Sequence, residues 1–264
     1  MSAVQGGAPP PLLTLRDVAL RVGARCLVQG LSMTVQRGEL WCVIGANGSG
    51  KTSLLQALAG LRTPEAGRIE LLGKVLADWP PGESACLRGL LPQALQDAFS
   101  ASVLDVVLAG RHPHLSRWAW ESDADRATAL EALRSVDLEG FATRDVLTLS
   151  GGERQRAGIA ALLAQDPLLL LLDEALAHLD LKHQISVLGH LAELTRQGGK
   201  AVLLAIHDLN LAHRFATHVL LLGAGATPLC GRVDSVMTEA ALSQAFGHRV
   251  TRVQAGAQTL FVPA

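Results

Sequence analysis

Short apolar runs punctuated by glycine set the plan of this 264-residue chain. From Leu12 to Arg21 apolar and polar positions alternate, with Leu13 and Leu15 followed by Val18 and Leu20. That spacing predicts an antiparallel strand with one wet face. Val28–Val35 repeats the pattern, and Arg37-Gly38 turns the chain into a different kind of strand. Leu40–Ile44, Leu168–Leu172, Ala201–Ile206 and His218–Leu222 are almost unbroken apolar runs. Such runs suit parallel strands covered on both faces. Between them the period changes. Ser53–Ala59 is a helical pattern that stops at Gly60, Thr63–Gly67 is a turn, and Arg68–Gly73 is a short strand. From about Ser84 to Ala164 the pattern is helical. Val103, Val106 and Val107 mark one helix, Ala127, Leu130 and Leu133 mark an amphipathic helix over Asp123–Val136, and Gly140 ends the stretch after it. Beyond Gly223 come short strand-like pieces and a helix over Glu239–Phe246. The expected fold is α/β, a mainly parallel sheet with an N-terminal antiparallel β subdomain and an inserted α-helical subdomain over roughly residues 84–164. A flexible tail over residues 1–11 is expected to precede a single domain over residues 12–264.

Composition narrows the classes. A formal net charge of −1 argues against a protein that coats nucleic acid, and no nucleic-acid partner is expected. Mean hydropathy is high at +0.28, yet no apolar run reaches the roughly 18 residues that span a bilayer. Met1–Pro11 lacks the basic and apolar regions of a signal peptide. Cys26, Cys42, Cys86 and Cys230 are too widely spaced for a metal pattern and read as reduced thiols of a cytosolic protein.

The chemistry starts at Gly45-Ala46-Asn47-Gly48-Ser49-Gly50-Lys51-Thr52. An apolar strand precedes it and a helix follows, the context a phosphate-binding loop requires. Gly45, Gly48 and Gly50 let the backbone turn its N–H groups inward. Asn47, Ser49 and the following Ser53 complete the cradle. Lys51 can reach terminal phosphates and the Thr52 hydroxyl can ligate Mg²⁺. The helix N-terminus adds partial positive charge at the same place.

The run Leu168–Leu172 ends in Asp173-Glu174. A strand buried on both faces delivers these carboxylates at its carboxyl end, where open α/β sheets bind ligands. Asp173 can hold Mg²⁺, and Glu174 can polarise a water attacking a γ-phosphate. Ser150-Gly151-Gly152 opens a basic helix and forms a second anion site, Ser150 being a good cap. This second site is not easily brought to the phosphate held at Lys51.

Together these segments resemble ATP-binding-cassette (ABC) ATPases over roughly residues 12–262. Residues 45–52 resemble the family's Walker A motif, 168–174 its Walker B, and Leu149–Arg156 its signature motif. The resemblance implies binding and hydrolysis of ATP with Mg²⁺. It makes Gln93, in Leu91-Pro92-Gln93, the glutamine that touches magnesium near a membrane partner. It makes His207, in Ala205-Ile206-His207-Asp208-Leu209, the γ-phosphate switch. It places Asp180 at the end of the D-loop. It also implies a head-to-tail dimer, in which Ser150, Gly151 and Gly152 of one copy close on ATP held by Lys51 of the other.

Two departures stand out. The D-loop usually reads Pro-Thr-Ser-x-Leu-Asp, whereas here Ala175-Leu176-Ala177-His178 precede Leu179-Asp180. The aromatic residue that often stacks on adenine is missing from Arg21–Arg25, which leaves Val22 and Arg25 for the base. Gly110–Trp118 and the tail Phe246–Pro263 are similar to importers of iron–siderophore, haem and cobalamin. The expected protein is therefore the ATPase subunit of a metal-chelate importer, peripheral on the cytoplasmic face of the inner membrane. Its permease would be a separate membrane subunit served by a periplasmic substrate-binding protein, and the reading leans to cobalamin as cargo. The alternatives are a non-transport ABC protein acting on ribosomes or DNA, and a regulatory subunit with weak hydrolysis. Trp118 and Trp120 are expected either at the permease interface or in the core of the helical region. His112 and His114 invite a metal-site reading, but no carboxylate and no helix-face pair support it.

Overall fold

The computed structural model describes residues 10–94, 99–116, 119–223, 227–256 and 258–264. The expected tail lies outside the described residues up to residue 9. The first strands, β1 (Leu13–Val22) and β2 (Arg25–Val35), pair antiparallel with Leu13 opposite Val35 and Val22 opposite Arg25. The alternation along β1 changes phase between Leu15 and Val18, and the ladder has an irregularity at that place. Asp17 takes the strain there with φ 51, and its N–H donates to Ser32 Oγ at 2.9 Å. Leu13, Leu15, Val18 and Leu20 all remain buried because the irregularity restores the period.

The chain then enters β3 (Leu40–Gly45), α1 (Lys51–Leu58), β4 (Ala66–Leu71), β5 (Lys74–Val75) and α2 (Pro81–Leu87). Strands β1, β2, β4 and β5 make one antiparallel sheet in the order β2-β1-β4-β5. Next comes β6 (Arg88–Leu91), which falls inside the stretch expected to be helical and pairs parallel with the strand Leu169–Asp173. An apolar run this short carries no period that separates strand from helix. Helices α3 (Val103–Leu108), α4 (Asp123–Ser135) and α5 (Gly151–Gln165) complete that part. On α4 the buried face is Ala129, Ala132 and Leu133, whereas Ala127, expected on it, is exposed.

The second half alternates strand and helix: β7 (Leu169–Asp173), α6 (Leu181–Gly198), β8 (Ala201–Ala205), α7 (Leu209–Phe215), β9 (His218–Leu222), β10 (Leu229–Arg232), α8 (Val233–Val236) and α9 (Glu239–Phe246). A hairpin of β11 (Val250–Ala255) and β12 (Gln258–Pro263) ends the chain. The central sheet runs β10-β9-β3-β8-β7-β6, parallel except for β10. Its two faces feed two cores. Leu170 and Leu172 join Cys42, Ile44 and the helices on one side, while Leu169 and Leu171 join Trp41, Val43, α1 and the antiparallel sheet on the other. That is why β7 is leucine at every position before its carboxylate. Each such side chain contributes about 1.5–3 kcal/mol by leaving water. Burial also pushes the Cys42 thiol up to about 12, which keeps it neutral. No helix among the described residues is long and apolar enough to cross a membrane.

Candidate nucleotide site

Strand β3 ends at Gly45 in the middle of the sheet, and the loop that follows has little room for side chains. A Cβ on Gly45 would meet the Leu222 carbonyl oxygen at 2.4 Å and Ser49 Oγ at 2.6 Å. Gly50 adopts φ +104 directly under Leu27 of β2, whose Cβ lies 2.9 Å from where a Gly50 Cβ would stand. Only glycine fits both demands. Gly50 caps α1 without a side chain, so no side chain occupies the helix's first N–H groups. Lys51 lies back over the loop, donating to the carbonyls of Gly45 at 3.0 Å and Ala46 at 3.4 Å.

Two carboxylates arrive from β7. Asp173 is buried, its Oδ1 has no hydrogen-bond partner, and Thr52 bonds to its side chain. Burial raises its pKa above the ordinary carboxylate value; the Thr52 bond opposes this and the charge of Glu174 adds to it. Glu174 follows with φ 51, a left-handed conformation that costs a non-glycine residue about 1–3 kcal/mol. Three groups hold its side chain there. His207 Nε2 is 2.7 Å from Oε1, Lys51 Nζ is 3.6 Å from Oε1, and Gln93 Nε2 donates to Oε2 at 2.8 Å. Gln93 comes from the loop after β6 and His207 from the loop after β8, so neighbouring strands of one sheet aim them at one point.

A cleft of about 500 Å³ opens over this cluster, with Asn47, Gly48, Gly50, Lys51, Thr52, Ser53, Gln93, Glu174 and His207 among its walls. Val22 and Arg25 line it as the sequence suggested, and Leu27 does too. Leu27 lies just before the strand expected from Val28, and nothing local shows that β2 crosses the loop.

Ser150, Gly151, Gly152 and Asp180 are not among the walls of that cleft. Ser150 caps α5 in a reciprocal box with Glu153: its N–H donates to Oε2 at 2.8 Å, and Oγ accepts from the Glu153 N–H at 3.3 Å. The bond from the Ser150 N–H, with one from the Ser150 side chain, holds the Glu153 carboxyl below its ordinary value. Asp180 caps α6 by accepting from the His183 N–H at 2.9 Å. Gly152 brings the two segments together, a Cβ there standing 3.0 Å from the His178 carbonyl oxygen. The altered D-loop backbone is tied down by Gln184, whose Nε2 donates to the carbonyls of Leu176 and Leu179.

The histidine-bearing segment after α3 is a strut. Arg111 pairs with Asp125 at 2.9 Å and donates to the Ala164 carbonyl, while His114 Nε2 lies 2.7 Å from the Gln165 carbonyl. Trp120 is 89% exposed, so it does not pack in the core; Trp118 lies outside the described residues.

A phosphate loop at the end of a central parallel strand, facing paired carboxylates on the next strand but one, defines a P-loop nucleoside triphosphatase. The comparisons narrow this. The family model for ABC transporters matches residues 28–177. The hemin import ATP-binding protein HmuV of Deinococcus radiodurans is 42% identical over 254 residues, covering 94% of each chain. A solved inward-facing metal-chelate type ABC transporter shares 30% identity at TM-score 0.85 and covers 97% of this chain and 98% of its own. A dimeric ATP-binding cassette in a post-hydrolysis state with ADP and Pi, MJ0796, shares 26% identity at TM-score 0.73, over 84% of this chain and 98% of its own. This chain belongs to the ABC transporter family, as an ATP-binding, ATP-hydrolysing cassette.

Proposed function

We propose that the chain energises uptake of a metal chelate through a membrane permease, and that the chelate is haemin. The observation that carries this reading is the relative named for hemin import, similar over 94% of both chains. Its name favours haemin over the lean to cobalamin. The metal-chelate transporter among the solved structures points to the same class. The cassette domain covers residues 12–264, with a helical subdomain over roughly residues 84–164.

In this reading the cleft over Lys51 takes ATP. Gly45, Asn47, Gly48, Ser49, Gly50 and Ser53 surround the phosphates, and Lys51 moves from its own loop carbonyls to phosphate oxygens. The oxygen donors Thr52 and Asp173 suit Mg²⁺, and the unpaired Oδ1 of Asp173 is a buried acceptor that a cation would satisfy. Held by these residues, Mg²⁺ would supply positive charge against the phosphates. Glu174 accepts a proton from the attacking water, and His207 and Gln93 hold its carboxylate in place until then. Ser150, Gly151 and Gly152 sit outside the cleft because they serve the site of a second copy, paired head to tail. Asp180 lies on that same face. The dimeric cassette among the neighbours supports a pairing of two copies. The chain would then sit peripherally at the inner membrane, on the cytoplasmic side of its permease. A periplasmic binding protein would deliver the cargo.

Uptake in cells lacking this chain tests the cargo. Haemin uptake should be lost and restored by the parent chain but not by Glu174→Gln. Loss of cobalamin or ferric-siderophore uptake with haemin uptake intact would reassign the cargo and leave the ATPase reading standing.

A further inference from the structure

The carboxy-terminal hairpin lies beyond the residues matched by the ABC family model, which end at 177. It is nonetheless bonded to the helix that follows His207. Asp208 caps α7 by accepting from the N–H groups of Asn210 at 2.8 Å and Leu211 at 2.9 Å. His207 is therefore the last residue before a rigid helix start. One residue into that helix, Asn210 turns its side-chain amide onto β12. Its Oδ1 accepts from the Phe261 N–H at 2.7 Å and its Nδ2 donates to the Phe261 carbonyl at 3.4 Å. The amide thus pairs with both main-chain groups of a single residue, as a neighbouring strand would. Phe261 is buried and meets the His213 ring of the same helix edge-on at 5.4 Å. The hairpin is itself anchored to α9. Ser243 Oγ accepts from the Val250 N–H at 2.9 Å, and the Glu239 carboxylate accepts from the Arg252 N–H at 2.5 Å.

We propose that Asn210 is a positioning residue for hydrolysis: by fastening α7 to the carboxy-terminal hairpin it fixes where His207 meets Glu174. This rests on the role given to His207 above. The distance at stake is the 2.7 Å between His207 Nε2 and Glu174 Oε1. The His207 side chain is itself 46% exposed, so packing around the imidazole does little to hold it and the burden falls on the backbone that carries it. A displacement of about 1 Å at such a contact can cost on the order of a hundredfold in rate. Among the described residues nothing beyond His207 in sequence, the hairpin included, is among the walls of the nucleotide cleft. The hairpin's direct bonds toward His207 are those to Asn210 on α7.

The test compares Asn210→Ala, Asn210→Asp and His207→Ala in the full chain, by steady-state ATP turnover and by equilibrium ATP binding. Asn210→Ala should lower kcat about tenfold with the Kd for ATP unchanged. Asn210→Asp keeps the acceptor for the Phe261 N–H but sets its second oxygen against the Phe261 carbonyl, and should recover part of the loss. Turnover of Asn210→Ala within twofold of the parent, a matching loss of ATP affinity, or no difference between the Ala and Asp variants would overturn the proposal. Full turnover in His207→Ala would instead remove the role of His207 on which it rests. A loss there beside unchanged turnover in Asn210→Ala would sink the positioning role alone.

Discussion

His207 Nε2 stands 2.7 Å from Oε1 of Glu174, and the two residues reach each other from the ends of adjacent parallel strands. The same carboxylate meets Lys51 from the phosphate loop and Gln93 from beyond β6. A cation and two side-chain nitrogens on one carboxylate hold it in one orientation. The left-handed backbone of Glu174 is sustained by these bonds and by the buried strand behind it.

Glu174→Gln keeps the size, exchanges one acceptor oxygen for an N–H donor and removes the proton acceptor. Turnover should fall by about 10²–10⁴ while ATP binding persists, as checked by phosphate release and by equilibrium nucleotide binding. Turnover near the parent value would exclude Glu174 as the base.

Lys51→Ala should weaken ATP binding roughly tenfold to a hundredfold, the worth of a hydrogen bond to a charged group. Ser150→Arg should leave binding to the single chain intact and block hydrolysis. Mixing the two inactive variants should restore part of the activity, because each mixed dimer carries one sound site. Absence of any recovery at concentrations where the parent dimerises would refute the composite site.

Gly110 lets the segment after α3 lie against α5, since a Cβ there would stand 2.2 Å from the Ala161 carbonyl oxygen. Gly110→Ala should destabilise by about 1–3 kcal/mol through overpacking against backbone that cannot move aside. His112→Ala, at an exposed position, should change stability by less than about 0.5 kcal/mol. Urea unfolding midpoints of the two variants measure the difference.

His190 on α6 is half-buried, and burial lowers its pKa below 6.5. The charged groups that line the same cavity are Glu131, Asp166 and Lys200, the last two paired with each other. The folded chain therefore takes up a proton at His190 less readily than the unfolded chain. The stability from this group is complete above pH 6.5 and is lost as pH falls from there through the lowered folded value. Between pH 7 and pH 5, His190→Leu should lose less stability than the parent. An equal or steeper loss in the variant would show that His190 is not responsible.

Local pattern carried much of this fold. The all-leucine β7 told of a doubly covered strand, because such a run is an effect of side chains on their own backbone, whereas the irregularity between Leu15 and Val18 came only with the ladder to β2. Pattern failed where neighbours decide. Four residues of β6 look the same in a strand or a helix until β7 offers a parallel edge. Ala127 and Ala129 are equally apolar, and only the packing of α4 chooses between them.

The sequence by itself determined the phosphate loop and the carboxylates of β7, since a glycine-rich turn between strand and helix and a buried strand ending in Asp-Glu are local events. It could also name Gln93 and His207 by resemblance. Only the tertiary structure decided that they meet on Glu174, which lies 81 residues from Gln93, and that Phe261 at the far end of the chain fastens the helix behind His207. The period of apolar residues tells which face of an element is buried but not which element will cover it. Hydrogen bonds between distant segments form only once packing has paired those faces.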